Sequence, residues 1–224
     1  MSFKRLFNRY FHNPNYLYFL ISLFLLIILP PFIYTSSIGK FSFEIIYGVT
    51  LILGSIHITR NYWELFSSLL LSITVFILFL LNINTFTLGV VSSVLSTALF
   101  SLFFINLIKY IVNMKWVNAN VLFACISGYI LLGIVSSMLF NLLNIYTQVL
   151  PFNTEESNFY DLIYYSFTTI TSVGYGDIVP ITPLAKAVTI LVSIAGQLYL
   201  TFLVGIIIGK YLLYETDNHN KKNE

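Results

Sequence analysis

Long runs without charged residues are the dominant pattern of this chain. Five stretches contain no Asp, Glu, Lys or Arg: residues 10–39, 45–59, 65–108, 116–154 and 187–209. A helix that spans a bilayer needs about 20 largely apolar residues. Stretch 65–108 is therefore long enough for two helices, with the polar residues 82–85 as the turn between them. The pattern predicts six spanning helices, near residues 16–35, 42–59, 63–82, 85–108, 118–143 and 184–212.

The composition agrees with a protein that lies mostly within a membrane. Of the 224 residues, 58% are hydrophobic and 9% are charged, whereas a soluble domain has about 45–50% apolar and about 25% charged residues. So few charges cannot cover a soluble core of this size, which excludes a soluble enzyme, a disordered protein and a nucleic-acid binder. The one cysteine, Cys125, lies in an apolar run, which excludes a disulfide framework and a Cys/His metal cluster. We expect an all-α integral membrane protein.

The distribution of basic residues predicts the orientation of the helices. Lys and Arg concentrate on the cytoplasmic side of membrane helices. With the N-terminus inside, the opposite side carries only Lys40 and Lys186. The other nine basic residues are cytoplasmic: Lys4, Arg5, Arg9, Arg60, Lys109, Lys115, Lys210, Lys221 and Lys222. We therefore expect a multi-pass protein of the cell membrane with both termini in the cytoplasm.

The chain begins with an amphipathic segment, residues 1–13, that predicts a cytoplasmic helix lying on the membrane surface. The basic residues lie off the apolar face of this helix. The residues that share the apolar face are Phe3, Leu6, Phe7, Tyr10 and Phe11. The alternative is a signal peptide, because a basic start precedes the apolar residues 17–29. A four-helix membrane domain over residues 14–113 would follow, then a second region over residues 114–213 and a short cytoplasmic tail over residues 214–224.

A short polar-interrupted segment between the last two helices predicts a re-entrant loop. A helix over residues 159–171 would be about 20 Å long, which is too short to cross a bilayer. Its C-terminal end would point at the middle of the membrane, where the helix dipole favours a cation. The backbone that follows must line an aqueous path or be buried in protein. Gly174 and Gly176 can adopt left-handed conformations, so alternating handedness could aim successive carbonyl groups at one axis.

Residues 171–177, with the sequence TSVGYGD, closely resemble the selectivity filter of the potassium channel family, usually TTVGYGD. The resemblance implies an outer helix (118–143), a pore helix (159–171), the filter (171–177) and an inner helix (184–212). It also implies that backbone carbonyls of the filter replace the water shell of K⁺. The ion-binding residues of the filter would be Thr171, Ser172, Val173, Gly174, Tyr175 and Gly176. The carbonyls of residues 172–175 would form the ion sites, and the Ser172 hydroxyl would complete the innermost one.

The resemblance implies supporting roles for residues around this filter. Asp177 would form a hydrogen bond behind the filter, and the aromatic pair Tyr164 and Tyr165 would brace the filter. Thr168 stands where some relatives carry an acidic residue, so an inactivation mechanism based on an acid pair is not expected. One filter per chain implies a homotetramer with a closed rotational axis, because the family's ion sites require a ring of four loops.

Glycines of the inner helix are candidate gate or hinge positions. Gly196 lies where the family's inner helix often bends, and close helix packing is the alternative explanation for this glycine. Gly205 and Gly209 form a small-xxx-small pair, which predicts a helix-contact face that could act as a gate. The fourth helix, residues 85–108, contains no Lys or Arg, so we expect weak or absent voltage dependence.

The sequence therefore predicts a potassium-selective channel with passive flux, in which K⁺ is the permeant ion. We expect no enzymatic activity, because the charge-free stretches lack the acidic groups of intramembrane enzymes. We also expect no cofactor and no nucleic-acid partner. Two alternatives stay open at this point: a weakly selective cation channel, and a non-conducting subunit that modifies other channels.

Overall fold

The structure is a computed structural model, and it describes residues 15–33, 37–58, 62–80, 86–114, 117–147, 152–153 and 159–223. The described residues form seven helices: α1 (Tyr16–Ile33), α2 (Ser37–Ile58), α3 (Tyr62–Leu80), α4 (Phe86–Asn113), α5 (Ala119–Thr147), α6 (Phe159–Ile170) and α7 (Pro183–Asn223). The predicted surface helix over residues 1–13 and the predicted turn over residues 82–85 lie outside the described residues.

Three of the described helices are long and apolar enough to cross a membrane: Thr87–Asn113, Ala119–Tyr146 and Pro183–Lys210. Three more are shorter apolar helices: Tyr16–Leu29, Ile45–Ile56 and Leu65–Leu78. Helices satisfy their own backbone hydrogen bonds, which is why they can span a bilayer. The prediction of an all-α integral membrane protein is confirmed, and the count of six spanning helices stays a prediction.

The last helix is longer than the sequence pattern predicted. We placed its end near residue 212, but α7 continues as one helix to Asn223. Hydropathy predicts where a helix leaves the apolar layer, and it does not predict where the helix stops. After Gly209 the chain contains neither Gly nor Pro, the two residues that most disfavour a helix interior. The predicted tail is therefore a polar extension of the same helix.

Helix α5 is the centre of the packing, because it contacts α1, α4, α6 and α7. The main hydrophobic core lies between it and the preceding helices, and includes side chains that are almost fully buried: Phe19, Leu23, Phe100, Phe103, Leu107 and Leu131. Gly54 on α2 faces the ring of Phe103, and a Cβ atom at Gly54 would lie 2.4 Å from that ring. The absence of a side chain there lets α2 pack closely against α4.

Hydroxyl groups connect the helices that lie inside this apolar region. The Ser55 and Ser72 hydroxyls are 2.8 Å apart and join α2 to α3. The Tyr47 hydroxyl donates to Ser96 Oγ at 3.0 Å and joins α2 to α4. Polar groups in an apolar medium need such partners, and interhelical hydrogen bonds of this kind contribute modestly to association. Because hydrogen bonds are directional, they fix the relative position of helices that apolar contacts alone would hold less precisely.

A charged side chain of α7 forms long-range hydrogen bonds to the four-helix region. The Lys210 ammonium group donates to the carbonyl oxygens of Ile111 at 2.8 Å and Val112 at 3.0 Å, and also to that of Met114. The last carbonyls of a helix have no intrahelical partner, and the helix dipole places partial negative charge there. Lys210 therefore caps the C-terminal end of α4 from the neighbouring helix.

Replacing Lys210 with Met should weaken the association of α4 with α7 and destabilise the protein. Hydrogen bonds to a charged group contribute about 1.5–3 kcal/mol, so Lys210→Met should lower the free energy of unfolding by about 2 kcal/mol. The measurement is thermal unfolding of the purified protein in detergent, followed by intrinsic fluorescence. Lys186→Met is the matched control, because Lys186 lies exposed on the same helix. Equal melting temperatures for the two variants would contradict the capping role.

Candidate functional site

Helix α6 is a short helix that cannot cross a membrane by itself. Its 12 residues span about 18 Å. Asp161 lies in its first turn, where the dipole favours negative charge. Several of its side chains are buried against α5 and α7: Leu162, Ile163, Tyr165, Ser166 and Ile170. The helix is therefore a buried element that carries its C-terminal end, and the residues after it, to a fixed position.

A glycine on α5 allows α6 to approach closely. A Cβ atom at Gly133 would lie 2.4 Å from the ring of Phe167. At the same place the Ser166 hydroxyl donates to the carbonyl oxygen of Gly133 at 2.6 Å. Van der Waals contact and a hydrogen bond thus act at one point of the interface. Small residues serve this purpose widely in membrane helices, and here they hold α6 against the central helix of the fold.

The four terminal carbonyl groups of α6 all accept hydrogen bonds. Three bonds come from backbone N–H groups of the segment that follows, and one comes from a tyrosine hydroxyl of α5. The pairs are Thr171 N to Phe167 O, Ser172 N to Thr169 O, Gly174 N to Thr168 O and Tyr129 OH to Ile170 O, each at 3.1 Å. Helix ends normally leave these four groups without helical partners. Residues 171–174 therefore serve as the cap of the helix before them.

The backbone of this segment alternates in handedness. Ser172 has a φ of 61°, Gly174 of 54° and Gly176 of 81°. Positive φ is not found at Val173 or Tyr175, which separate them. The expected left-handed conformation of both glycines is confirmed. Ser172 shares it although left-handed backbone costs an L-residue about 1–2 kcal/mol, and it occupies the position after a helix where a left-handed residue is common.

The consequence is a row of carbonyl groups without protein partners. Within the described residues, none of the carbonyl oxygens of residues 172–175 accepts a hydrogen bond. Residues 171–177 are all exposed in the single chain, and the side chains of Val173 and Tyr175 are 52% and 72% exposed. Unsatisfied backbone oxygens are costly at membrane depth. These oxygens are therefore available to another molecule or ion.

Tyr164 holds the outer end of the segment. Its hydroxyl donates to Asp177 Oδ2 at 2.7 Å, and its ring stacks on that of Tyr175 at a centroid distance of 6.3 Å. This hydrogen bond lowers the pKa of the Asp177 carboxyl below its usual 3.8. The same bond, more than any other influence, raises the pKa of Tyr164 to about 12. Tyr164 therefore remains a donor, and Asp177 an acceptor, across the neutral pH range.

The second tyrosine of the predicted pair points elsewhere. The Tyr165 hydroxyl lies 2.9 Å from Thr189 Oγ1 on α7, and its ring packs against Phe140 and Phe152. Tyr165 thus joins α6 to the inner helix. Thr168, the position that lacks the acidic residue, donates from Oγ1 to the Tyr165 carbonyl at 3.0 Å. Its own carbonyl is one of the capped oxygens described above.

Asn153, which the sequence did not mark as a site residue, holds the segment that follows Asp177. Its side-chain amide donates to the Asp177 carbonyl at 3.0 Å and accepts from the Val179 N–H at 2.7 Å. Its backbone N–H also donates to the Val179 carbonyl at 3.2 Å. No motif marks this residue, because the contact joins positions 24 and 26 residues apart. Its place two residues after Pro151, at the start of a polar stretch, was the one available signal.

The three glycines of the inner helix have different surroundings. A Cβ atom at Gly196 would lie 2.6 Å from the carbonyl oxygen of Ile170, and 2.8 Å from its Cα atom. This close contact supports the packing explanation for Gly196, and the role of Gly196 as a hinge stays a prediction. At Gly205 and Gly209 the added Cβ atom would meet nothing within 4 Å. These two glycines lie on a face that the described part of this chain leaves open.

Comparison with known proteins finds ion channels, and among them potassium channels, that are similar to part of this chain. Residues 125–212 match the family model described as an ion channel. A voltage-gated potassium channel of Aeropyrum pernix is 38% identical over 55 residues, which is 25% of this chain and 19% of that protein. Two-pore potassium channel 4 of Arabidopsis thaliana is 39% identical over 59 residues, 26% of this chain and 21% of that protein.

A human protein, potassium voltage-gated channel subfamily A member 10, is 38% identical over 66 residues, 28% of this chain and 13% of that protein. The chain thus spans about a fifth or less of the length of the curated relatives it matches. No solved structure matches it. The resemblance to the potassium channel family is confirmed by these relatives, and the ion channel family model matches the region from residue 125 to residue 212.

Adding a methyl group at Gly196 should displace the filter segment. Gly196→Ala forces α7 away from the backbone of Ile170, and overpacking of this kind costs about 1–3 kcal/mol. Thermal unfolding in detergent should show this loss. Gly89→Ala is the control, because a Cβ atom at Gly89 on α4 meets nothing within 4 Å and should stabilise the helix. A Gly196→Ala protein as stable as the control would show that α7 is free to move at this point.

The bond between Tyr164 and Asp177 predicts a pH dependence. A carboxyl whose pKa is lowered by folding adds stability above its usual pKa, and this contribution fades as the pH falls through the lowered value. Tyr164→Phe should therefore lower the melting temperature at neutral pH. The two proteins should converge in acid, once Asp177 is protonated in both. Melting curves between pH 2.5 and 7 test this, and a constant difference over the whole range would contradict it.

Proposed function

We propose that the chain is a potassium-selective channel subunit that conducts K⁺ passively through a tetrameric filter of backbone carbonyls. The observation that carries the proposal is the row of unpartnered carbonyl oxygens at residues 172–175. The N–H groups of Ser172 and Gly174 donate to the helix end, and the same two residues are left-handed. Four such rows around one axis would replace the water shell of a cation. The matched ion channel family and its potassium channel relatives support K⁺ as that cation.

The assembly into a homotetramer is part of the same proposal. A single row of oxygens cannot surround an ion, so other copies of the chain must complete the site. Helix α7 supports this view, because many of its large apolar side chains are exposed in the single chain: Ile190, Leu191, Ile194, Leu198 and Phe202. Gly205 and Gly209 continue this open surface. We propose that neighbouring inner helices pack there and form the gate at this level.

We further propose that the channel is not gated by voltage. Voltage sensing needs repeated positive charges that move within the membrane field. Helix α4 is the fourth helix, and Lys109 near its end is its only basic residue. With both termini in the cytoplasm, the filter would open to the outside and the capped end of α4 would lie at the inner surface. Steep voltage dependence of the current would contradict this part of the proposal.

Reconstitution of the purified chain into liposomes tests conduction directly. A K⁺ gradient should drive flux through the wild-type protein, and the reversal potential should favour K⁺ over Na⁺. Gly174→Ala should abolish the flux, because a left-handed Ala at all four copies strains the filter. Gly89→Ala should conduct normally, because that position is open.

The same assay separates the alternative functions. A current that reverses near zero with K⁺ opposing Na⁺ would identify a weakly selective cation channel. Absence of flux from a well-folded oligomer would favour a non-conducting subunit that modifies other channels. Either result contradicts the selective conductor.

A further inference from the structure

The side chain of Gln197, on α7, contacts Ser172, the first residue of the row of carbonyl oxygens at residues 172–175. Gln197 Nε2 donates a hydrogen bond to Ser172 Oγ at 2.5 Å. The two residues are 25 positions apart in sequence, and both are exposed in the single chain. Ser172 is also the left-handed residue that caps α6. Gln197 therefore reaches the point where the pore helix ends and the carbonyl row begins.

The packing of α7 explains why Gln197 can reach this hydroxyl. Gly196, its neighbour in sequence, lies against the backbone of Ile170 at the end of α6. A larger residue there would hold α7 farther from α6. The carbonyl of Gln197 accepts a hydrogen bond from Thr201 Oγ1 at 2.8 Å, which is a local contact within α7. The side-chain amide is left to bridge the two helices.

The chemistry of the serine hydroxyl makes this bridge informative. A hydroxyl has one donor hydrogen and two acceptor lone pairs. The Gln197 amide occupies one lone pair, so the other remains for a cation at the innermost site. Serine lacks the second Cβ substituent that makes threonine stiff at χ1. The position of its oxygen must therefore be held by something outside the residue.

We propose that Gln197 is a positioning residue that determines the ion selectivity of the innermost site by fixing the Ser172 hydroxyl. This inference rests on the proposed function, and it adds a residue that the filter motif does not contain. The amide takes the place of the missing methyl group: it holds the oxygen at one position in each of four copies. A hydroxyl that rotates freely would follow the size of whichever ion is present. Discrimination between K⁺ and Na⁺ at that site would then be weaker.

The test is the K⁺/Na⁺ permeability ratio of Gln197→Met, measured from reversal potentials in the reconstituted full chain. Met has nearly the length of Gln and cannot donate. The ratio should fall about fivefold, which corresponds to the loss of about 1 kcal/mol for one hydrogen bond. Adding Ser172→Thr in the same chain should restore the ratio, because the β-branch fixes χ1. Thr201→Val, one turn away on α7, is the control and should keep the wild-type ratio.

The outcomes distinguish this inference from the proposed function. A wild-type protein without K⁺ flux contradicts the proposed function itself. A selective wild type together with an equally selective Gln197→Met, or a fall that Ser172→Thr does not rescue, overturns the role of Gln197 alone. A merely structural role would reduce the amount of flux and leave the ratio unchanged. If Gln197→Met does not assemble, Gln197→Asn gives the same test, because its amide is one methylene too short to reach Ser172.

Discussion

The structure depends on how the end of helix α6 is satisfied. Its last four carbonyl oxygens need donors, and three of these donors are N–H groups of the segment that follows. Because the peptide bond is planar and trans, each N–H group that points back to the helix turns the carbonyl of the preceding residue away from it. The alternating handedness of residues 172–176 follows from this constraint. Left-handed and right-handed residues must alternate to keep the N–H donors on the side of the helix and the carbonyl acceptors on the other side. One capping arrangement thus positions the helix end and exposes the oxygen row together.

Close approach between helices holds this arrangement in place. Gly133 admits the ring of Phe167, and Gly196 admits the backbone of Ile170. On α5, Gly128 faces the Tyr199 hydroxyl, which donates to the Cys125 carbonyl at 2.6 Å. Helices in lipid gain little from burying apolar surface against one another, so close packing and hydrogen bonds decide their association. The glycines therefore act as fixed points, and α6 is held from both sides at the level where the filter starts.

The sequence predicted the features that are local and missed those that join distant positions. The filter segment, the left-handed glycines and the short helix before it follow from neighbouring residues. Asn153, Gln197 and Lys210 were not predicted to make their contacts, because each bond joins residues at least 24 positions apart with no spacing rule. The end of α7 was misplaced because hydropathy reports the edge of the membrane layer. The helix continues through polar residues to Asn223, because neither Gly nor Pro interrupts the chain after Gly209.

The departure from the family pattern at Ser172 shows how local and distant contacts combine. Threonine would bring its own stiffness to this position, whereas serine leaves the oxygen free to rotate. In this chain the oxygen has a partner on α7, next to the glycine that brings α7 close. A constraint that threonine would supply within one residue is therefore shared between Ser172 and a residue of α7. Any movement of the inner helix relative to α6 would act on the Ser172 hydroxyl, so the same contact couples the position of α7 to the innermost end of the oxygen row.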